Sequence, residues 1–201
     1  MANLSTMLLT LPIILLSLTV HEYAHAATAN ALGDPTPRWE GRLTLNPLAH
    51  LDLFGTLALI ITRRFGWAKP VPINPSYFKN WRNGMAMVGV AGPLSNIALA
   101  FLFTLPYRLG VRVPYYLDFL LYYAIIINLG LASFNLIPIP PLDGSRLLLV
   151  FLKGRNLYIY RQLEQYGHFI LLLLIFTGAT STIMLPIMRF LSFLISGRRL
   201  F

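Results

Sequence analysis

The chain of 201 residues contains no cysteine, which excludes a disulfide framework and any thiolate-bound metal; a metal ion would have to be held by histidine and carboxylate. Charge is also scarce. Only 11% of residues are Asp, Glu, Lys or Arg against 56% hydrophobic, and the mean hydropathy is +0.64. A water-soluble domain of this length could not cover its surface with so few charges, so the expected solvent is a lipid bilayer and the expected unit a single integral-membrane domain, 1–201. Acid is scarcer than base, with seven Asp and Glu against sixteen Lys and Arg and a net charge of +9. That balance does not indicate nucleic acid, because no basic stripe on a polar domain and no nucleic-acid-binding motif accompanies it. The first twenty residues carry no charge. The opening apolar run therefore lacks the positive n-region of a secretory signal peptide, although Ala24-His25-Ala26 loosely imitates a cleavage site.

Against this background His21-Glu22-Tyr23-Ala24-His25 stands out, two histidines and a glutamate at the end of an apolar helix. Ionisable groups placed there are expensive and usually functional or paired. On a helix, residues four apart share a face, so both imidazoles can bind one metal ion while Glu22 leans toward its open position. This H-E-x-x-H arrangement is that of zinc hydrolases, in which the metal activates water and the glutamate moves its proton.

The fold class expected is α, a polytopic bundle of about five to six membrane helices with a short interfacial β-hairpin or sheet. A first span from about Leu4 to Leu32 is stopped by Gly33-Asp34-Pro35-Thr36-Pro37. The mixed run Arg38 to Leu45 reads as an interfacial strand or hairpin. The apolar residues after Asp52, up to Thr62, are too few to cross and suggest a re-entrant or interfacial segment. His50 and Asp52, two apart, face different ways on a helix, with capping or support of the metal ligands as their expected roles. Arg63 to Arg82 reads as a basic, aromatic interfacial loop with an extended Val71-Pro72-Ile73 edge that could pair with a peptide.

Further spans are expected at about Gly84 to Tyr107 and Leu117 to Ile137. In the first of these Gly92, Asn96 and Ala100, spaced by four, give a small face for close helix approach, with the Asn96 amide projecting from it. The second runs into Asn135-Leu136-Ile137-Pro138-Ile139-Pro140-Pro141-Leu142-Asp143-Gly144, whose prolines break the helix at membrane depth. The core is 1–152, and a trailing helical hairpin occupies 157–197, with apolar runs at 169–178 and 183–195.

A catalytic zinc usually keeps three protein ligands, so the histidine pair needs a third. Asp34, Glu40, His50, Asp52, Asp118, Glu164 and His168 lie in loops or near helix ends, whereas Asp143 follows a broken intramembrane helix. A helix cap or a partner for Arg146 is the ordinary role for such an aspartate. If the first helix enters from outside, fourteen basic residues (in 38–82, 146–161 and 189–199) face the cytoplasm and two, Arg108 and Arg112, face out. The end of the first helix and the Asp143 loop then share the cytoplasmic side.

HEYAH near the end of an apolar helix, RLTLNPLAHLDLFGTL, FGWAKPVPINP, AGPLSN and FNLIPIPPLDG together resemble the site-2 protease family of intramembrane zinc metalloproteases, in its small form without a PDZ domain. The resemblance covers the chain through Gly144. It implies one Zn2+ per chain held by His21, His25 and Asp143, Glu22 as the catalytic glutamate, and Asn96 and Asn135 lining or supporting the site. It also implies a multi-pass cell-membrane enzyme that cuts membrane-protein or signal-peptide substrates in or near transmembrane segments. The opposing readings are a metal-ion transporter, disfavoured because no internal repeat of broken helices is present, and a non-cleaving metal-stabilised scaffold.

Overall fold

The computed structural model describes residues 4–62 and 66–196. Arg63, within the expected basic loop, and Arg198 and Arg199 lie outside the described residues. In chain order the helices are α1 Leu4–Ala31, α2 Thr36–Trp39, α3 Leu53–Thr62, α4 Trp81–Arg108, α5 Tyr115–Asn135, α6 Gly144–Leu148, α7 Gly154–Phe176 and α8 Ala179–Ser196. Four of them, α1, α4, α5 and α8, contain stretches long and apolar enough to cross a membrane. Helix α4 is central, packing on α1, α5, α6 and α8. Its Gly92, Asn96 and Ala100 are all buried, so the small-residue spacing does mark a close helix seam.

One apolar cluster joins Ala100 of α4, Ile125, Leu129 and Ala132 of α5 and Met188, Leu191 and Ile195 of α8. A second joins Ala29 at the end of α1 to Phe78 and Val88, with Leu32, Ile73 and Met85 around it. The outer faces are equally apolar, since Leu16, Met87, Leu94, Leu102, Phe190 and Leu194 are exposed. A protein that is as greasy outside as inside is dissolved in lipid, and this chain is a multi-pass membrane protein.

Two expectations are corrected. Among the described residues there are four candidate spans rather than five to six, because the apolar run at 169–178 is largely the back half of α7, whose front half carries Arg155, Arg161 and Glu164. There is also no β-hairpin at 38–45 and no strand among the described residues; the single β-bridge joins Leu51 to Ala68. Asp34 Oδ1 accepts from the Thr36 amide and the Arg38 and Trp39 amides donate to the Pro35 carbonyl, closing a helical turn that Pro37 fits at its start. Local capping outweighs a short alternation of apolar residues.

The excursion from Leu51 to Ala68 returns on itself, its ends tied by that bridge and by Lys69 N–H to the His50 carbonyl at 2.8 Å. Asp52 caps α3 by accepting from Gly55 N–H at 2.8 Å. Leu53, Phe54, Ile60 and Ile61 are left exposed on a helix of ten residues, too short to cross. At the far end of the bundle Arg108 donates to the Ile195 carbonyl at 3.0 Å, so α8 ends beside the C-terminus of α4. The end of α8 at Ile195 therefore lies on the side of Arg108 and not, as expected for 189–199, on that of Asp143.

Candidate metal centre

His21 and His25 lie one above the other on the same face of α1, buried, in the half of the helix nearer its C-terminus. Asp143 arrives from the proline-broken turn between α5 and α6, which contains a cis Pro140-Pro141 bond. The His21 and His25 Nε2 atoms are 3.0 Å apart, and one carboxylate oxygen, Oδ2 of Asp143, is 3.1 Å from each. Among the described residues this is the one group of three His or carboxylate side chains that could hold a metal ion.

The outer nitrogens decide what the inner ones can do. His21 Nδ1–H donates to Asn96 Oδ1 and His25 Nδ1–H to the Val88 carbonyl, both at 2.7 Å. With the proton on Nδ1, each Nε2 presents a lone pair. Two lone pairs and a carboxylate oxygen then face one another in a buried space, and positive charge between them, a metal ion or added protons, relieves the repulsion. Tetrahedral ligands about 2.0–2.1 Å from zinc stand about 3.3 Å from each other, a few tenths of an ångström more than these contacts. The donor set, two imidazoles and a carboxylate, fits zinc.

The cradle is close on its other walls. A Cβ on Gly89 would stand 2.8 Å from the Asp143 carbonyl, and one on Gly92 would enter the histidine pair. The second carboxylate oxygen, Oδ1, lies 3.5 Å from Arg146 Nη1. Burial by itself raises the Asp143 carboxyl; positive charge facing it, from protonated His21 and His25 or from a metal ion in their place, holds it below the usual carboxylate range. Glu22, next to His21, is half-buried, and its carboxylate forms no hydrogen bond to a described residue.

Of the residues expected to support the site, Asn96 bonds directly to His21. Asn135 instead donates to the Leu131 carbonyl of its own helix at 3.1 Å. His50 is buried outside the triad, its Nε2 on the Thr44 carbonyl at 2.8 Å. His168 is exposed on α7. Sequence reasoning missed Ser17, Asn128 and the Val88 carbonyl, which all bear on the site. Ser17 carried a readable signal, four residues before His21 and eight before His25 on one helix face. Asn128, an amide in the middle of an apolar helix, carried another.

Comparison with known proteins finds relatives named for zinc metalloprotease activity. Residues 111–178 match the family model described as Peptidase family M50. YwhC of Bacillus subtilis, whose name proposes a zinc metalloprotease, is 40% identical over 88% of this chain and 84% of its own length. Rip2 of Mycolicibacterium smegmatis, similarly named, is 29% identical over 82% of this chain, which spans 65% of Rip2. MJ0611 of Methanocaldococcus jannaschii, named in the same way, is 37% identical over 46% of this chain and 47% of its own length. No solved structure matches the chain.

Proposed function

Because the chain belongs to peptidase family M50, the site-2 proteases, and is an intramembrane zinc metalloprotease, we propose that His21, His25 and Asp143 hold its zinc and that Glu22 is its catalytic base and acid. The observation that carries the assignment is the triangle of ligand atoms with 3.0–3.1 Å edges, both histidines having their outer nitrogens already engaged. Bound there, zinc supplies Lewis acidity, making water acidic enough to ionise near neutral pH and polarising the scissile carbonyl. Glu22, with no hydrogen-bond partner among the described residues and adjacent to a ligand, takes the proton from the attacking water and returns it to the departing amine.

The substrate class follows from the surroundings. An apolar groove is lined by Thr28 of α1, one turn past His25 in sequence, by Met87, Val90, Ala91 and Leu94 of α4 and by Leu147 of α6, which suits a membrane-protein segment or a signal-peptide remnant arriving from lipid. A helical substrate must be unwound before its carbonyls can be attacked, and the extended backbone around 70–74 is the proposed edge for it. A second candidate edge, 38–48, begins in the helical turn Thr36–Trp39, so there only the residues beyond Trp39 are available for pairing. The basic connectors within 38–82 and 146–161 put the site toward the cytoplasm under the positive-inside rule.

The test pairs zinc analysis of purified protein in detergent with cleavage of a model transmembrane peptide. Wild type should hold about one zinc per chain and cleave; E22Q should keep the zinc and lose cleavage; H21A and D143A should lose both. Zinc retained by D143A, or cleavage retained by E22Q, would refute the assignment. Metal transport surviving E22Q would favour a transporter, for which no observation here speaks.

A further inference from the structure

The bond from His21 to Asn96 is the inner end of a longer chain of side-chain amides. Asn96 Nδ2 donates to Asn128 Oδ1 at 2.9 Å and to the Ser17 carbonyl at 3.2 Å. Asn128 Nδ2 in turn donates to the Ala124 carbonyl at 2.8 Å and to Ser17 Oγ at 2.9 Å. Ser17, Asn96 and Asn128 are all completely buried, with no water-facing alternative for any of these groups.

The chain has a direction, and the backbone sets it. A carbonyl only accepts, so the Ala124 carbonyl requires the amino side of Asn128 and turns the Asn128 oxygen toward Asn96. That oxygen and the Ser17 carbonyl together require the amino side of Asn96, which leaves the Asn96 oxygen facing His21. An oxygen there accepts only from an Nδ1–H. We infer that Asn128 is a positioning residue of the metal centre, three side chains joined in one sense holding His21 in the tautomer that frees Nε2 for zinc.

This rests on the reading that His21 is a zinc ligand. It adds that α5, through a residue that never meets the metal, determines which nitrogen of α1 is basic. Without Asn128, one N–H of Asn96 loses its acceptor in a dry site. The Ser17 carbonyl, at the longer distance, is then the only group holding the amide in its sense, and the flipped amide would present N–H to His21 and favour the opposite tautomer. Outer partners of metal-ligating histidines typically set affinity within 10–100-fold.

The experiment measures zinc affinity by chelator competition on the full chain in detergent, with thermal unfolding of the zinc-free protein as a folding check. N96A should weaken zinc binding by about 10–100-fold and N128L by about tenfold. The double variant N96A/N128L should match N96A within about twofold, because Asn128 then has nothing to orient. N128L binding like wild type, or N96A and N128L multiplying in the double variant, would overturn the inference.

Should N128L not fold, 15N spectra of the side-chain histidines of the zinc-free wild-type protein decide the matter. His21 in the Nδ1–H form supports the inference, and the Nε2–H form or an exchanging mixture overturns it. Failure of the zinc assignment itself would look different, as H21A would then bind zinc like wild type.

Discussion

A β-carbon on Gly92 would stand 2.4 Å from His25 Nε2 and 2.6 Å from His21 Cε1. Helix α4 thus presents bare backbone to the metal face of α1. Alanine would ordinarily favour the helix by up to about 1 kcal/mol, yet G92A should push the two ligand nitrogens out of position. The expected result is at least a tenfold fall in zinc affinity and in peptide cleavage, with helix content unchanged by circular dichroism. G92A with full zinc and full activity would show that the cradle is looser than it is drawn.

Helix α7 should matter to the site although it supplies no ligand. A Cβ on Gly167 would lie 2.9 Å from the Pro140 carbonyl carbon and oxygen, and Tyr160 shares a hydrogen bond with Ser145, two residues past Asp143, at 3.1 Å. G167L should lift α7 from the turn that carries Asp143 and lower zinc affinity several-fold. Y160F, removing one hydrogen bond, should cost about 1 kcal/mol or less of stability. Equilibrium zinc binding and thermal unfolding check both, and a G167L protein indistinguishable from wild type would dismiss α7 as a support.

Asp34 ties the end of α1 to the Pro-rich loop. Fully buried, it accepts from Thr36 N–H at 3.0 Å through one oxygen and from Asn74 N–H at 2.7 Å through the other. D34A should leave two amides without their acceptor and destabilise the protein by about 2–3 kcal/mol, whereas D34N, able to keep one bond, should cost less. Limited proteolysis between residues 66 and 78 should quicken in the same order. Equal melting of D34A and wild type would contradict this.

Chelation should lower the melting temperature, and added zinc should restore it in proportion to RT ln(1 + [Zn]/Kd). Acid should do the same by competition, since an imidazole must be neutral to bind metal. Asp143 behaves differently. Its folded-state pKa is depressed below the unfolded value, so the stability it contributes is complete above the ordinary carboxylate range and is lost only as pH falls through the lower folded value. D143N, which removes the ionisable carboxyl, should weaken zinc binding already at pH 7, measured by chelator competition; D143N binding zinc like wild type at pH 7 would show that the carboxylate is not a ligand.

Much of this protein is written locally. The H-E-x-x-H spacing alone puts two imidazoles on one helix face, because the period of 3.6 residues is a property of any α-helix. Scarce charge over long apolar runs alone requires a membrane, and the prolines before Asp143 alone require that α5 stop there. The strand expected at 38–45 failed because its alternation is short and Asp34 offers the neighbouring amides a cap. The extra spans failed because the polar front of α7 breaks the only apolar window it has.

Non-local pairings belonged to the folded chain. Asp143 meets His21 across 122 positions and Asn128 meets Ser17 across 111, and no periodicity encodes which helix faces which. That choice is made when Gly89 and Gly92 let α4 come within contact of the ligands and when buried amides find the one arrangement that leaves none unpaired. Residue type and spacing supplied the ligands; close packing chose the outer partners that point their lone pairs at the same place.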